Sequence, residues 1–345
     1  MFSRPQNSLK QIAAKLGVSM TTVSRVLSGQ AGKYRISEET ATTILDYARK
    51  ENFTPNPIAK GLRLRRTNTI GLVIADVINP FFAGIASEIA NATRNLGYSL
   101  ILSDSKGDLT LEKQAVELLW QRQVDGMIVC PASESFEHLA RYAKERRPLV
   151  LVDQVSPEIG LPYVTSDNFA AGKMATAHLL EYGHKRIACL QGRPTTITSR
   201  LRVQGYAAAL AGRGIAFDPA IVVGDSFDEQ GGYLDTKLLL QSGRDVTAIL
   251  ALSDPLALGA LRALAEEKRR VPEDVSIIAF DDQPFLAHLS PPLTTVAQSA
   301  RAMGGAAVKI LFERMRVADA AGDANNAGLL LPVSLITRKS VHKLG

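Results

Sequence analysis

Between Leu9 and Leu27 the apolar residues fall at three- and four-residue steps, in two short bursts. Leu9, Ile12, Ala13 and Leu16 predict one helical stripe, and Val23, Val26 and Leu27 predict a second. Gly17 permits a sharp turn between them, Val18 is expected to fill a core slot, and Ser19 is a good N-cap for the second helix. In "ISEETATTILDYARKENF", Ser37 caps a third helix whose Ala41, Ile44, Leu45 and Ala48 face inward. The stretch "TPNPIAKGLRLRRTNT" follows, where Asn56 can cap and Pro57 suits the first position of a short helix ending near Arg63. So short a helix is marginal alone, and Gly61 costs it about 1 kcal/mol relative to Ala. This segment is expected to be a linker that folds only when something holds it.

From Ile70 onward the period changes. Apolar strand-like runs alternate with amphipathic stretches: "IGLVIADV", "SLILSDS", "GMIVCPA", "LVLVD", "RIACLQG", "PAIVVGD", "AILALSD", "VSIIAFDD" and "TTVAQS". That alternation predicts an α/β fold with parallel, doubly wound sheets. Many of these runs end in a carboxylate, at Asp76, Asp104, Asp153, Asp254 and Asp281. Each one alone could be a helix cap or a turn residue. Together they stand at the carboxyl ends of strands, where open α/β sheets bind ligands, and carboxylates accept well from sugar hydroxyls.

At 345 residues the chain is long enough for two or three domains. No run of eighteen apolar residues is present, and "MFSRPQNSLKQ" lacks the apolar core of a secretory signal, so a cytoplasmic, nucleoid-associated location is expected. Cys130 and Cys189 read as reduced core residues, and the scattered histidines show no ligand spacing, so no metal is expected.

Charge sharpens the reading of the N-terminal end. Residues 1–66 hold 12 Lys and Arg against 4 Asp and Glu, a net of +8, while the whole chain carries only +6. The remainder is therefore slightly acidic, and the basic excess belongs to the small helical unit, as phosphate binding requires. Two helices joined by a short glycine turn form the helix-turn-helix pattern. Its second helix leaves Met20, Thr21, Thr22, Ser24 and Arg25 on the outer surface, with the arginine expected at the N-terminal end that reads base edges. Arg25 can hold guanine bidentately, and Met20 offers only apolar contact. A transport protein of the same core architecture would not carry this basic unit. An enzyme is not indicated either: neither a G-x-G-x-x-G after a strand, a Walker loop nor a G-x-S-x-G elbow occurs.

The ordered motifs "VSMTTVSRVLSG", "NFTPNPIAKGLR", "IGLVIADVINPFF", "VDGMIVCP", "DNFAAG", "GHKRIACLQG", "SRLRVQGY", "SDPLALGALRAL", "VSIIAFDD", "LTTVAQ" and "RKS" resemble the LacI/GalR family of bacterial transcription repressors over essentially the whole chain. The resemblance implies a three-helix headpiece (1–54), a hinge helix and linker (55–68), and an effector-binding core (69–345) of periplasmic-binding-protein type. The core would comprise an N-subdomain, about 69–166 and 295–322, and a C-subdomain, about 167–294 and 323–345. The chain would cross between them near Ser166, Thr294 and the "AGDANNAG" stretch.

The resemblance further implies a homodimer on a palindromic double-stranded DNA operator, whose hinge helices meet in the minor groove. Leu62 stands where family members insert a leucine wedge, with Ile58 one turn earlier. The DNA-contacting set carried over is Ser8, Ser19, Met20, Thr21, Thr22, Ser24 and Arg25, with Asn56, Ala59, Lys60 and Leu62 from the hinge. No apolar heptads follow the last strand, so a tetramerising coiled coil is not expected. The effector set is Asn79, Phe81, Phe82, Asp104, Asp153, Arg202, Phe227, Ser253, Asp281 and Gln298. It implies a small-molecule effector, a sugar or sugar derivative, with a nucleobase as the runner-up and no cofactor. Three departures touch this set. The "GDSFDEQGGY" segment around Phe227 is one residue longer than usual, Ser253 stands where sugar-binding members often have asparagine, and Pro255 replaces a polar residue.

Overall fold

The computed structural model describes residues 9–51, 53, 66–132, 135–319 and 328–344. The chain divides into two compact units, Met1–Thr67 and Asn68–Gly345. In the first, α1 (Leu9–Leu16), α2 (Met20–Leu27) and α3 (Glu38–Lys50) pack around Ile12, Ala13, Val23, Val26 and Ile44. Gly17 takes φ +64, which allows the tight turn between α1 and α2, and Val18 packs onto the same core. Two expectations are corrected here. Leu45 is 38% exposed, because Ile44 and Ala48 already fill the inward face of α3. Arg25 stands in the last turn of α2, since that helix ends at Leu27; it still shares an exposed face with Thr21, four residues earlier.

Among the described residues the second unit contains two six-stranded sheets. The first runs β11 (Gly328–Leu331), β5 (Tyr163–Ser166), β4 (Leu149–Val152), β3 (Gly126–Val129), β1 (Thr69–Ile74), β2 (Ser99–Asp104), all parallel. The second runs β12 (Ser334–Ile336), β10 (Thr294–Ala297), β9 (Ser276–Phe280), β8 (Ala248–Ala251), β6 (Ile187–Leu190), β7 (Val222–Val223); only the β10–β12 pair is antiparallel.

Strand period explains why both faces of each sheet are covered. In β1, Ile70, Leu72 and Ile74 enter one core while Val73 enters the opposite one. In β9, Ile277 and Ala279 face one layer, and Ile278 and Phe280 the other. Cys130 and Cys189 are free and buried, and burial pushes both thiols up.

The crossings between lobes need correction at two places. The first sheet hands over to the second after β5, which ends at Ser166. The return expected near Thr294 falls after Ala297, because all of β10 pairs within the second sheet. The last crossing lies between β11 and β12, not in "AGDANNAG", because the apolar "GLLL" run extends the first sheet beside β5. Residues 320–327 of that polar stretch lie outside the described set. The helix after β10, α11 (Ala300–Asp319), buries Met303, Ala307, Val308, Leu311 and Met315 against the first sheet.

Candidate functional site

The outer face of α2 is the first candidate surface. Ser19 caps α2 by accepting from the Thr22 N–H at 3.0 Å and shares a 2.9 Å hydrogen bond with the Thr22 hydroxyl. Those two hydroxyls are thus partly committed to holding the helix start. Thr21 is exposed, and Met20 is 53% exposed although apolar, a placement the local core does not require. The Arg25 guanidinium lies over the Tyr34 ring, 3.8 Å from its centroid. Ser8, Asn56, Ala59, Lys60 and Leu62, and with them the expected hinge helix, lie outside the described residues.

The second candidate is a cavity of about 720 Å³ at the carboxyl ends of strands from both sheets. All ten residues of the expected effector set line it. Asp153 follows β4 and Asp281 follows β9, in matching positions of the two sheets. Each takes a left-handed backbone, φ +69 and +68, a conformation that Asp tolerates better than most residues. Each N–H is anchored to the adjacent strand, Asp153 to Val164 O at 3.0 Å and Asp281 to Val296 O at 2.9 Å.

Arg202, on α8 (Ile197–Ala211), lines the same cavity as these carboxylates, feels the charge of both and is 4% exposed. Its Nε donates to Asn168 Oδ1 at 2.8 Å and its Nη1 to Leu252 O at 2.7 Å, and its guanidinium lies 4.4 Å from the Phe280 ring centroid. The sequence provides for this seat by glycine pairing. A Cβ on Gly172 of α7 (Asn168–Glu181) would fall 2.0 Å from Arg202 O, and one on Gly205 would fall 2.2 Å from Phe169 O. The two helices therefore touch backbone to backbone, which brings Asn168 within reach of Arg202.

Burial raises the Asp153 carboxyl to about 6, with Arg202 opposing and Asp281 adding to the rise. Burial also raises Asp281, against Arg202 and against Gln298, whose Nε2 donates to Asp281 Oδ1 at 2.7 Å. The guanidinium is pulled below its ordinary value by burial, and both carboxylates resist that pull.

The caps account for the other predicted residues. Asn79 caps α4 (Pro80–Asn95), accepting from the Phe81 N–H at 2.9 Å, and sets Phe81 and Phe82 edge to face with centroids 5.3 Å apart. Asp104 and Asp76 each accept from a backbone N–H two residues on, as a turn residue would. Ser253 caps α10 (Asp254–Glu266), and its hydroxyl donates to Phe227 O at 3.3 Å. Pro255 fits the first turn of that helix, which explains its presence. Phe227 lies against Gly192, where any Cβ would strike the ring.

Several cavity residues escaped the sequence reading. Gln154 Nε2 donates to Thr198 Oγ1 at 2.7 Å, and Arg193 Nη1 donates to Gly107 O at 2.8 Å; both bonds join the first-sheet lobe to the second. Asp254, a strand-end carboxylate in the sequence, is also a wall of the cavity. It is 1% exposed, burial and Asp281 raise it to about 7, and its Oδ1 lacks a partner among the described residues. Among the described residues no cluster of His, Cys, Asp or Glu could hold a metal ion.

A basic helix-turn-helix unit and a two-lobed core with a polar cavity at the strand ends define a DNA-binding regulator with a ligand-binding core. Comparison with known proteins agrees. Residues 8–56 match the model for bacterial regulatory proteins of the lacI family, and residues 176–341 match a periplasmic binding protein-like domain. The chain is 31% identical over 337 residues to the ribose operon repressor of Haemophilus influenzae, covering 98% of this chain and 99% of that one. It is also 31% identical over 337 residues to the transcriptional repressor CytR of Escherichia coli, covering 98% and 97%.

Among solved structures, the lac repressor dimer bound to operator and the anti-inducer ONPF superposes with a TM-score of 0.86 at 26% identity, over 97% of this chain and 99% of that one. A LacI family regulator of Enterococcus faecium with bound ribose gives 0.71 at 31% identity, over 80% and 100%. The chain belongs to the lacI family of bacterial regulatory proteins and is a DNA-binding transcriptional regulator, not an enzyme. No described helix is long and apolar enough to cross a membrane.

Proposed function

We propose that this regulator is a cytoplasmic repressor that binds a palindromic operator as a dimer and answers to a neutral sugar or sugar derivative held in the cavity. Residues 1–54 form the DNA-binding headpiece, 55–68 the hinge that enters the minor groove, and the remainder the effector-binding and dimerisation core. Met20, Thr21 and Arg25 face the bases, with Ser8, Ser19, Thr22 and Ser24 beside the phosphates.

One observation carries the ligand class: Asp153 and Asp281, one from each lobe, line the cavity together with the buried guanidinium of Arg202, and both act on its charge. Two carboxylates accept hydroxyl protons, Arg202 donates, and Phe81, Phe82 and Phe227 supply apolar faces for the C–H side of a sugar ring. With Asp254 as a third carboxyl, the inner wall has no positive excess to receive a phosphate or carboxylate. A ligand touching both lobes alters operator affinity by biasing how they sit, and couplings of about 1–3 kcal/mol shift affinity roughly 5- to 150-fold.

The test is a thermal-shift screen of neutral monosaccharides, their phosphates and nucleobases. A neutral sugar raises the Tm of the wild type and changes its operator affinity. Arg202→Ala and Asp281→Ala abolish both responses while operator affinity without ligand stays near wild type. Stabilisation by a nucleobase or a sugar phosphate alone overturns the ligand class. A normal response in both variants removes the site from this cavity.

A further inference from the structure

The turn that follows α2 carries an exposed aromatic side chain. Tyr34 ends a single 3-10 turn, Gly32–Tyr34, and the residue is 41% exposed although large and aromatic. The ring is not part of the headpiece core, which draws Ala31 and Ile36 from this segment instead. Its position is nonetheless fixed. The Gln30 N–H donates to Arg25 O at 2.9 Å, the Tyr34 N–H reaches Ala31 O at 3.2 Å, and the Ile36 N–H closes back on Ala31 O at 3.0 Å. The left-handed Arg35, φ 52, completes the turn.

This rigid turn sets the ring face under the Arg25 guanidinium, 3.8 Å from its centroid, with Lys33 Nζ at 5.8 Å. No carboxylate among the described residues pairs with Arg25. The stack is the contact that holds this side chain. A free arginine samples many rotamers and loses that freedom when it grips a base edge. A planar guanidinium laid on a fixed ring has already lost much of it, and the stacking leaves its N–H edge open to donate.

We propose that Tyr34 is a positioning residue for DNA reading: its ring preorganises Arg25 for the base pair that Arg25 recognises. This rests on the reading of Arg25 as a base contact given above. The gain is a specificity gain, since random DNA uses Arg25 only as a diffuse positive charge. An exposed stack and a spared rotamer search together correspond to about a 3- to 10-fold effect on specific affinity.

The test uses the full-length protein with DNA selected from a random pool, and compares wild type, Tyr34→Ala, Tyr34→Phe, Arg25→Ala and Tyr34→Ala/Arg25→Ala on that site, on single-base variants and on random duplex. Circular dichroism and Tm verify that each headpiece is folded. Tyr34→Ala is expected to lose about 3- to 10-fold on the selected site and little on random DNA, and to relax preference at the base pair that Arg25→Ala also relaxes. Tyr34→Phe stays near wild type, and the double variant is no worse than Arg25→Ala. Equal losses on all DNA, additive losses, a Tyr34→Phe as weak as Tyr34→Ala, or tighter binding by Tyr34→Ala would each overturn the proposal. If Arg25→Ala itself weakens all DNA equally, the fault lies in the base-contact reading; if only Tyr34→Ala fails to relax preference, the positioning role alone falls.

Discussion

Replacing Asp254 with Asn removes a buried charge that the core carries at a loss. The carboxyl begins α10 on the cavity wall, and burial, with Asp281 nearby, raises it from 3.8 to about 7. The folded state therefore keeps a proton that the unfolded chain gives up above pH 4. Such a group contributes stability that is present below the unfolded value and is lost as pH climbs through the folded one. A carboxyl so displaced forfeits at most about 4 kcal/mol between pH 4 and pH 7. Water entering the cavity screens part of that, so about 2 kcal/mol is the expected size. Asn has nearly the same shape and cannot ionise. Urea denaturation followed by far-UV circular dichroism from pH 4.5 to pH 8 measures both proteins, and other carboxylates cancel in the difference. The variant should gain on the wild type steadily up to about pH 7 and then hold a constant lead. A difference that does not change with pH would refute the reasoning.

Three other outcomes follow from the packing and the proposed assembly. Gly205→Val should cost about 3 kcal/mol in urea denaturation and abolish the ligand response, because its side chain would press on Phe169 O and lift α8 with Arg202; a loss under about 1 kcal/mol would contradict the backbone contact. Leu62→Ala should weaken operator binding far more than binding to random DNA in gel-shift titration, since only a bent specific complex uses a minor-groove wedge; equal weakening would remove the wedge. Sedimentation at micromolar concentration should give a dimer, matching a two-fold operator, and a stable tetramer or a monomer would break that match.

The sequence revealed those parts of the site that local rules govern. Strand ends followed by carboxylates put Asp153 and Asp281 in place. Three strands went unread. Tyr163–Ser166 carries only one strongly apolar residue, Val164; Gly328–Leu331 is an exposed edge, and Ser334–Ile336 has three residues. None offers a period long enough to detect. With β11 showing no strand period, the sequence alone sets the last crossing too early. Gln154, Thr198 and Arg193 were missed for another reason: their partners lie on the opposite lobe, 44 residues away for Gln154 and 86 for Arg193. Nothing in the flanking sequence marks such a pairing. Leu45 falls on the expected stripe but not in the core, because a stripe at three- and four-residue steps is wider than the face that α3 buries.

The left-handed backbone at Asp153 and Asp281 bears on how such a regulator could change its ligand over evolutionary time. At φ +69 and +68 a branched or bulky side chain is strained, so single substitutions there are confined in practice to Asn, Gly and Asp itself. Gln154, Ser253 and Phe227 line the same cavity, and none of them has a left-handed φ. Drift toward a new effector would thus run through those neighbours, around a fixed pair of carboxylates. A library randomised at 154, 227 and 253 should yield altered ligand preferences at far higher frequency than one randomised at 153 and 281.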